Sequence, residues 1–317
     1  MHSISSQRSV RRPALSRRDF IGRLGSSGLA CAILGPKALG AEHSKTAVKP
    51  VVGSQLYGWG QYYQRDGKDM GSHMDEVLSA IRDAGYDYAE GTLDTNQPEN
   101  NAKFAESLKS KGMKPVSLYT GGRLHEPDKT APIVEKLIAA ARVARDAGFS
   151  VINCNPDSIG RDKTDEELLA QAAALTDLGK GLGLLGLRLG IHHHTPEMRN
   201  QGREFHSNFK HGPAGVVDFC YDVHWVYRGG IAPSDALNQY SDRVVSWHLR
   251  QSREGIWWED LAPGDIDYAA VAKFAGDHGL PPRYTVELAL ETGTKITRTV
   301  VENHRRSREF VRQIFAC

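Results

Sequence analysis

The sequence lacks several features that would assign it to a class at once. It has only four cysteines, three of them beyond residue 41, and this odd number does not indicate a disulfide framework. No apolar run is long enough to span a bilayer as a permanent helix. No glycine-rich loop follows the first apolar strand, which argues against a dinucleotide-binding or phosphate-binding open sheet. The net charge is only +2, and no basic stripe indicates nucleic acid as a partner.

The start of the chain has the layout of a secretory leader. It is rich in arginine, and Ser16-Arg17-Arg18-Asp19-Phe20 matches the twin-arginine pattern. A mildly apolar stretch from Leu24 to Leu34 follows, and small residues at 38–41 suit a signal peptidase. We therefore predict that the twin-arginine translocase exports this protein in its folded state.

This leader divides the chain into three segments. We predict a cleaved twin-arginine signal peptide at residues 1–41, a linker at 42–50 and one folded domain at 51–317. The expected location is the periplasm or another compartment outside the cytoplasm, without stable insertion into the membrane. The oligomeric state is not indicated by the sequence.

The rest of the chain repeats one pattern, in which an amphipathic helix ends in glycine and a short apolar run follows. An example is Ala144-Arg145-Asp146-Ala147-Gly148 before Val151-Ile152-Asn153-Cys154. Glycine after a helix adopts the left-handed conformation easily, and the run has the length of a buried parallel strand. Eight such runs lie near residues 51–56, 86–89, 115–118, 151–154, 187–191, 217–221, 244–248 and 284–287. Strands alternating with helices predict an α/β fold, a single (β/α)8 TIM barrel with parallel strands.

Polar side chains follow these strands where the catalytic face of a barrel is expected. Residues two apart in a strand share a face, and three pairs qualify: His192 with His194, Asp222 with His224, and His248 with Arg250. Four consecutive strands would then bring imidazole, carboxylate, imidazole and carboxylate to one point. This mixed donor set predicts one divalent ion, Mn²⁺, Zn²⁺, Co²⁺ or Fe²⁺. The predicted ligands are His192 or His194, Asp222, His248 and Glu287.

These motifs resemble the xylose isomerase-like barrel superfamily, which contains sugar isomerases, sugar 3-epimerases, inosose isomerases and dehydratases, and endonuclease IV. The resemblance covers roughly residues 51–310 and rests on Ile191-His192-His193-His194, Tyr221-Asp222-Val223-His224, His248-Leu249-Arg250, Gly264-Asp265-Ile266-Asp267-Tyr268 and Val286-Glu287. Asp222, His248 and Glu287 match the metal ligands of the epimerases. His192 stands where the epimerases have glutamate, and the inosose dehydratase branch has a similar His-x-His pair.

The resemblance implies an enzyme that abstracts a proton next to a carbonyl of a sugar or cyclitol through a metal-held enediolate. This would be a sugar isomerase or epimerase, with proton transfer by Glu287 and by His192 or His194. The residues expected to contact the substrate are Glu90, Asn155, His224, Arg250 and His125. Tryptophans that could stack on a sugar are Trp59, Trp225, Trp257 and Trp258.

Three alternatives remain at the level of sequence. A metal-dependent lyase or dehydratase, acting on an inosose or a 3-keto-glycoside, would share the first proton transfer. A non-catalytic sugar-binding barrel is the second alternative, because the strand-five glutamate is replaced. An endonuclease is the third, although the expected export and the small number of ligands argue against it. Five further histidines are expected at the surface: His43, His73, His211, His278 and His304.

Overall fold

The computed structural model describes residues 49–317, and within this range strands and helices alternate along the chain. The strands are β1 (Val51–Gln55), β2 (Tyr88–Thr92), β3 (Ser117–Gly122), β4 (Val151–Pro156), β5 (Arg188–Ile191), β6 (Asp218–Asp222), β7 (Val244–Leu249), β8 (Ser252–Arg253), β9 (Ile256–Trp257) and β10 (Arg283–Val286). The helices are α1 (Leu56–Arg65), α2 (Met74–Asp83), α3 (Glu99–Ser110), α4 (Thr130–Ala147), α5 (Asp165–Leu184), α6 (Thr195–His211), α7 (Val223–Arg228), α8 (Pro233–Tyr240), α9 (Tyr268–Asp277) and α10 (Val300–Ile314).

Eight of the strands close into a parallel barrel. Their order around it is β1-β10-β7-β6-β5-β4-β3-β2, while β8 and β9 form a separate antiparallel hairpin after β7. The predicted (β/α)8 barrel is therefore confirmed. The predicted signal peptide, residues 1–41, and most of the predicted linker lie outside the described residues. None of the helices at 49–317 combines the length and apolar character needed to cross a membrane.

The local sequence explains how the units begin and end. Helix α4 ends at Ala147 and is capped by Gly148, whose φ of 113° lies in the region that only glycine enters without strain, and β4 begins at Val151. Helix α5 begins with a capping box, in which Thr164 and Glu167 each accept a hydrogen bond from the backbone N–H of the other. Inside the barrel, Gly53 leaves room for the ring of Tyr88, which would lie 2.2 Å from an added Cβ.

Two strand ends differ from the prediction. Strand β6 ends at Asp222, whose Oδ1 accepts a hydrogen bond from Trp225 N (2.7 Å) and caps α7, so His224 is helical and not on the strand. Strand β5 ends at Ile191, and His192 to His194 follow it. The rule that residues two apart share a face applies only within a strand. After the capping residue Asp222, the backbone is already helical.

His304 was wrongly expected at the surface. It lies in α10, is fully buried, and stacks on Trp59 with 4.4 Å between ring centroids. Its Nδ1 is 3.3 Å from Ser54 Oγ, and its carbonyl accepts a hydrogen bond from Tyr86 OH (2.9 Å). The histidine therefore joins α10 to β1 and α1, and Trp59 is a core residue and not a sugar-stacking one.

Candidate active site

Four polar side chains meet at the C-terminal end of the barrel. His192, Asp222, His248 and Glu287 each offer one donor atom, and these atoms lie within 4.8 Å of one another. His192 Nε2 is 3.3 Å from Asp222 Oδ2 and 3.8 Å from Glu287 Oε2, which is 2.7 Å from His248 Nδ1. We call these residues the four-donor group. All four are buried, and Glu287 is the most accessible of them.

The second nitrogen of each imidazole lies close to an oxygen of another side chain. His248 Nε2 is 2.8 Å from Glu90 Oε1, and His192 Nδ1 is 3.3 Å from Asn155 Oδ1. A carboxylate and an amide oxygen can only accept, so these outer nitrogens would carry the protons when the nitrogens that face the four-donor group bind a cation. Histidine ligands of metals are oriented in this way. Two imidazoles and two carboxylates therefore fit a divalent transition-metal ion.

Glu90 belongs to a polar layer inside the barrel, beneath the four-donor group. Its Oε2 accepts hydrogen bonds from Ser117 Oγ (2.5 Å) and Asn153 Nδ2 (2.7 Å). Asn153 Oδ1 accepts in turn from Ser246 Oγ (2.8 Å). Ser117, Asn153 and Ser246 were not predicted as site residues. Asn153 and Ser246 each precede a site residue by two positions on the same strand, and this spacing is the signal that could have revealed them.

Charges inside the group shift its pKa values in opposite directions. Burial lowers the pKa of His192, but hydrogen bonds to Asp222 and Glu287 outweigh this and raise it. Burial would raise the pKa of Asp222, yet the hydrogen bond from His192 and the charge of Arg250 lower it. The pKa of Glu287 is likewise lowered, because Arg250 and His248 outweigh burial. The group thus concentrates negative charge that requires cations, either protons or a metal ion.

Arg250 connects the four-donor group to the space above it. Its Nη2 is 3.2 Å from Glu287 Oε2 and 3.6 Å from Asp222 Oδ2, and its Nε donates to the Glu287 carbonyl (3.0 Å). Its guanidinium lies over the ring of Trp257, 4.4 Å from the centroid. The arginine therefore holds a fixed positive charge beside the Glu287 carboxylate, which reaches the space above the group.

An open cavity of about 440 Å³ lies over the four-donor group. It is lined by Gln55, Tyr57, Tyr119, His194, Thr195, Pro196, Trp225, Arg250, Trp257 and Glu287. Glu287 alone belongs to both the group and the cavity wall, whereas His192, Asp222 and His248 are sealed below it. This cavity has the size of a small-molecule site, and we call it the active-site cavity.

The two neighbouring histidines occupy different environments. His194 was predicted as an alternative ligand, but it lies outside the four-donor group and lines the active-site cavity, 4.7 Å from the ring of His192. Burial, with the charge of His192, lowers the pKa of His194 to about 3, so its imidazole is neutral. His193 points the other way and packs on Phe205, at 4.8 Å.

Four of the five residues that were predicted to contact the substrate do not line the active-site cavity. Glu90 contacts His248 and Asn155 contacts His192, and neither residue lines the active-site cavity. Helical placement turns His224 towards Trp257 and Tyr227. His125 is buried near Glu126.

Arg250 lines the active-site cavity, as do Trp225 and Trp257. Gln55, Tyr57 and Tyr119 were missed, because nothing in their local sequence distinguishes them from other polar or aromatic residues.

Comparison with known proteins shows that this fold recurs in other structures. No family model matches the chain, and no curated protein matches it by sequence. Solved structures do match. A sugar phosphate isomerase/epimerase from Parabacteroides distasonis has a TM-score of 0.65 at 18% identity, over 86% of this chain and 96% of that one. These likenesses show the fold.

Two further neighbours are sugar epimerases. An L-ribulose 3-epimerase superposes with a TM-score of 0.66 at 16% identity, over 84% of this chain and 95% of its own. A D-allulose 3-epimerase from Methylomonas sp. gives 0.63 at 15% identity, over 84% and 98%. The structural neighbours thus include sugar isomerases and epimerases built on the same barrel.

Proposed function

We propose that the protein is a divalent-metal-dependent isomerase or epimerase of a keto sugar or cyclitol. The observation that carries the proposal is that Glu287 belongs both to a buried four-donor group and to the wall of an open cavity. His192, Asp222, His248 and Glu287 would hold the ion. When bound, a divalent ion supplies Lewis-acid polarisation of a carbonyl. The epimerases among the structural neighbours support this reaction class.

Glu287 is the base in this proposal. Its carboxylate reaches the cavity floor and takes a proton from the carbon next to the substrate carbonyl. The electron pair of the broken C–H bond moves towards the carbonyl, which gives an enediolate, and Arg250 provides positive charge beside it. Returning the proton to the same carbon from the opposite face gives an epimer. Returning it to the former carbonyl carbon, while the proton of the adjacent hydroxyl moves to the former carbonyl oxygen, gives an isomer.

His194 is the second proton-transfer group in this proposal. It lines the active-site cavity without belonging to the four-donor group, so it is free to contact the substrate. The wall between these groups is aromatic, with Trp225, Trp257 and Tyr119 facing the cavity. Aromatic faces suit the apolar faces of sugar rings and exclude water from the reacting carbon.

The experiment measures proton exchange and metal content together. The purified protein, loaded with Mn²⁺ or Zn²⁺, is incubated in heavy water with ketohexoses, inososes and 3-keto-glucosides. We expect deuterium uptake next to the carbonyl without loss of a substituent. Release of water or an alcohol would instead identify a lyase, and absence of exchange with every substrate would refute the enzymatic proposal.

Two variants separate metal binding from proton transfer. His194→Gln should keep the bound metal but slow product formation by about a hundredfold or more, because it removes one proton-transfer group only. Glu287→Gln should lower both metal affinity and exchange, since Glu287 serves both roles. His278→Gln, a change on the exposed end of α9, is the matched control and should alter neither. An unchanged reaction in His194→Gln would remove that residue from the mechanism.

We also propose that the protein is exported by the twin-arginine route and works outside the cytoplasm. The support is the Ser16-Arg17-Arg18-Asp19-Phe20 motif followed by an apolar stretch and small residues. Cell fractionation should find the processed protein in the periplasm. Replacing Arg17 and Arg18 together by lysine should leave an unprocessed precursor in the cytoplasm, and continued export of that variant would contradict this route.

A further inference from the structure

A second and larger cavity adjoins the active-site cavity. It has a volume of about 670 Å³ and lies between α1, α3 and the C-terminal ends of β1 and β2. Gln55, Tyr57 and Tyr119 line both cavities, so the two share walls. We call the second cavity the annex. The active-site cavity already has the size of a small-molecule site, so the annex is additional space beside the reacting group.

The wall of the annex is largely apolar. Leu56 on α1, Met70 and Met74 before and in α2, and Phe104 on α3 face it. Gly91 on β2 allows Phe104 to lie against the strand, because an added Cβ would be 2.9 Å from the Phe104 ring. Methionines adapt to ligands of different shape, since their side chains are unbranched and flexible. The wall therefore offers an adjustable apolar surface.

Several polar side chains of the annex are engaged by the protein itself. Asp94 accepts hydrogen bonds from the backbone N–H of Asn96 and Gln97 and from Asn100 Nδ2. Asn101 bonds through both amide atoms to the backbone of Asp94.

Gln61, on α1, is engaged in the same way. Its amide nitrogen donates a hydrogen bond to the Leu290 carbonyl, and its amide oxygen accepts one from the Leu290 N–H. Asp94, Asn101 and Gln61 would therefore offer the hydroxyls of a sugar ring few free partners, and unpaired buried hydroxyls are costly. The annex therefore suits an apolar group better than a second sugar.

We infer that the annex binds an apolar substituent, aromatic or alkyl, that is carried by the sugar whose carbonyl reaches Glu287. This inference rests on the proposed function and narrows its substrate class to keto sugars with an apolar aglycone. Tyr119 and Tyr57 stand at the junction, where the sugar would end and the substituent begin. Neither tyrosine belongs to the four-donor group, so binding of the substituent and binding of the metal can be separated by mutation.

The test compares two ligands that differ only in the substituent. Methyl and phenyl 3-keto-β-D-glucopyranoside are titrated into the metal-loaded protein by calorimetry. We expect the phenyl compound to bind at least about tenfold more tightly, since it buries a ring that the methyl compound lacks. Phe104→Ala should remove most of this preference and leave the affinity for the methyl compound nearly unchanged.

Two further variants guard against a simple folding defect. Met74→Glu places a charge at the first residue of α2, where a helix tolerates acids, and should also reduce the phenyl preference. Phe274→Ala on α9 is the matched control, because Phe274 is equally half-buried but lines a different cavity, and it should retain the preference.

The outcomes distinguish this inference from the proposed function. Equal affinity for the two glycosides, or a phenyl preference that survives both Phe104→Ala and Met74→Glu, would overturn the annex assignment. Deuterium exchange without a phenyl preference would refute the annex and leave the isomerase proposal standing. A preference that depends on Phe104, without exchange in any keto sugar, would support the annex and refute the proposed reaction.

Discussion

Asp222→Asn is the substitution that tests the four-donor group most directly. Asp222 uses its two oxygens differently, with Oδ1 capping α7 through Trp225 N (2.7 Å) and Oδ2 facing His192 Nε2 (3.3 Å). Asparagine has nearly the same shape, and its amide oxygen can keep the cap. The substitution therefore removes the charge and the metal ligand while preserving the start of the helix. Asp222→Ala would lose the cap as well, at a cost of about 1 kcal/mol.

The expected effect on metal binding is large. Loss of a group that merely orients a ligand lowers metal affinity by about 10-fold to 100-fold, so loss of Asp222 itself should lower it by more than about 100-fold. A metal at 100 times its dissociation constant stabilises the wild-type fold by about 2.7 kcal/mol. For a domain of this size, that corresponds to a rise in Tm of about 5 to 10 °C. The variant should show almost none of this rise at the same metal concentration.

The assay is thermal unfolding of both proteins with EDTA and with added Mn²⁺ or Zn²⁺, together with metal analysis after dialysis. Wild type and Asp222→Asn should have folded spectra in EDTA, and only wild type should gain stability with metal. Asp235→Asn, an acid in the first turn of α8, is the control and should respond like wild type. If Asp222→Asn retained a full equivalent of metal and the same rise in Tm, the assignment of the four-donor group would be wrong.

Three other substitutions give independent tests. Glu90→Gln presents an amide to His248 Nε2 and disfavours the tautomer that leaves Nδ1 free to bind a metal. Calorimetry should therefore show a metal affinity that is lower by about 10-fold to 100-fold, and an unchanged affinity would contradict this role of Glu90. Burial raises the pKa of Glu197 to about 7 from an ordinary 4.5, so its contribution to stability is complete below pH 4.5 and is lost as the pH rises through 7. Glu197→Gln should therefore be more stable than wild type by up to about 3 kcal/mol in urea unfolding at pH 8 and show no such gain at pH 5, whereas parallel pH profiles would refute the shift. Gly58→Ala would place a Cβ 1.9 Å from the carbonyl oxygen of Leu288, the residue after Glu287. It should destabilise the fold by about 1 to 3 kcal/mol and weaken metal binding, both measured by Tm with and without metal. An unchanged Tm would show that the segment at Leu288 shifts without cost.

The barrel could be predicted because its signals are local. Glycine at a helix end and an apolar run after it are properties of about twenty neighbouring residues, and Gly148 followed by β4 shows the pattern directly. The same locality explains the errors at strand ends. Whether Asp222 continues a strand or caps a helix depends on where its backbone turns, and this turn moved His224 from the predicted strand face into α7.

Burial of single polar residues was harder to predict. His304 lies in a helix of mixed polar and apolar residues, and only its packing against Trp59 from α1 shows that it is internal. Glu90 was expected to contact substrate, yet Asn153 and Ser117 hold it beneath the group, against His248. These contacts join residues far apart in the sequence, so no local pattern records them.

By itself, the sequence determined the repeating strand and helix units, and it placed Asp222, His248 and Glu287 at the ends of successive strands. Parallel strands bring their C-terminal ends to one rim, so the meeting of these side chains followed from strand order alone. Tertiary structure decided that His192 and not His194 completes the four-donor group, because that choice depends on a separation of a few ångströms between rings. Tertiary structure also determined that the annex exists, since this cavity is formed by side chains of α1, α3 and β2 that meet only after folding.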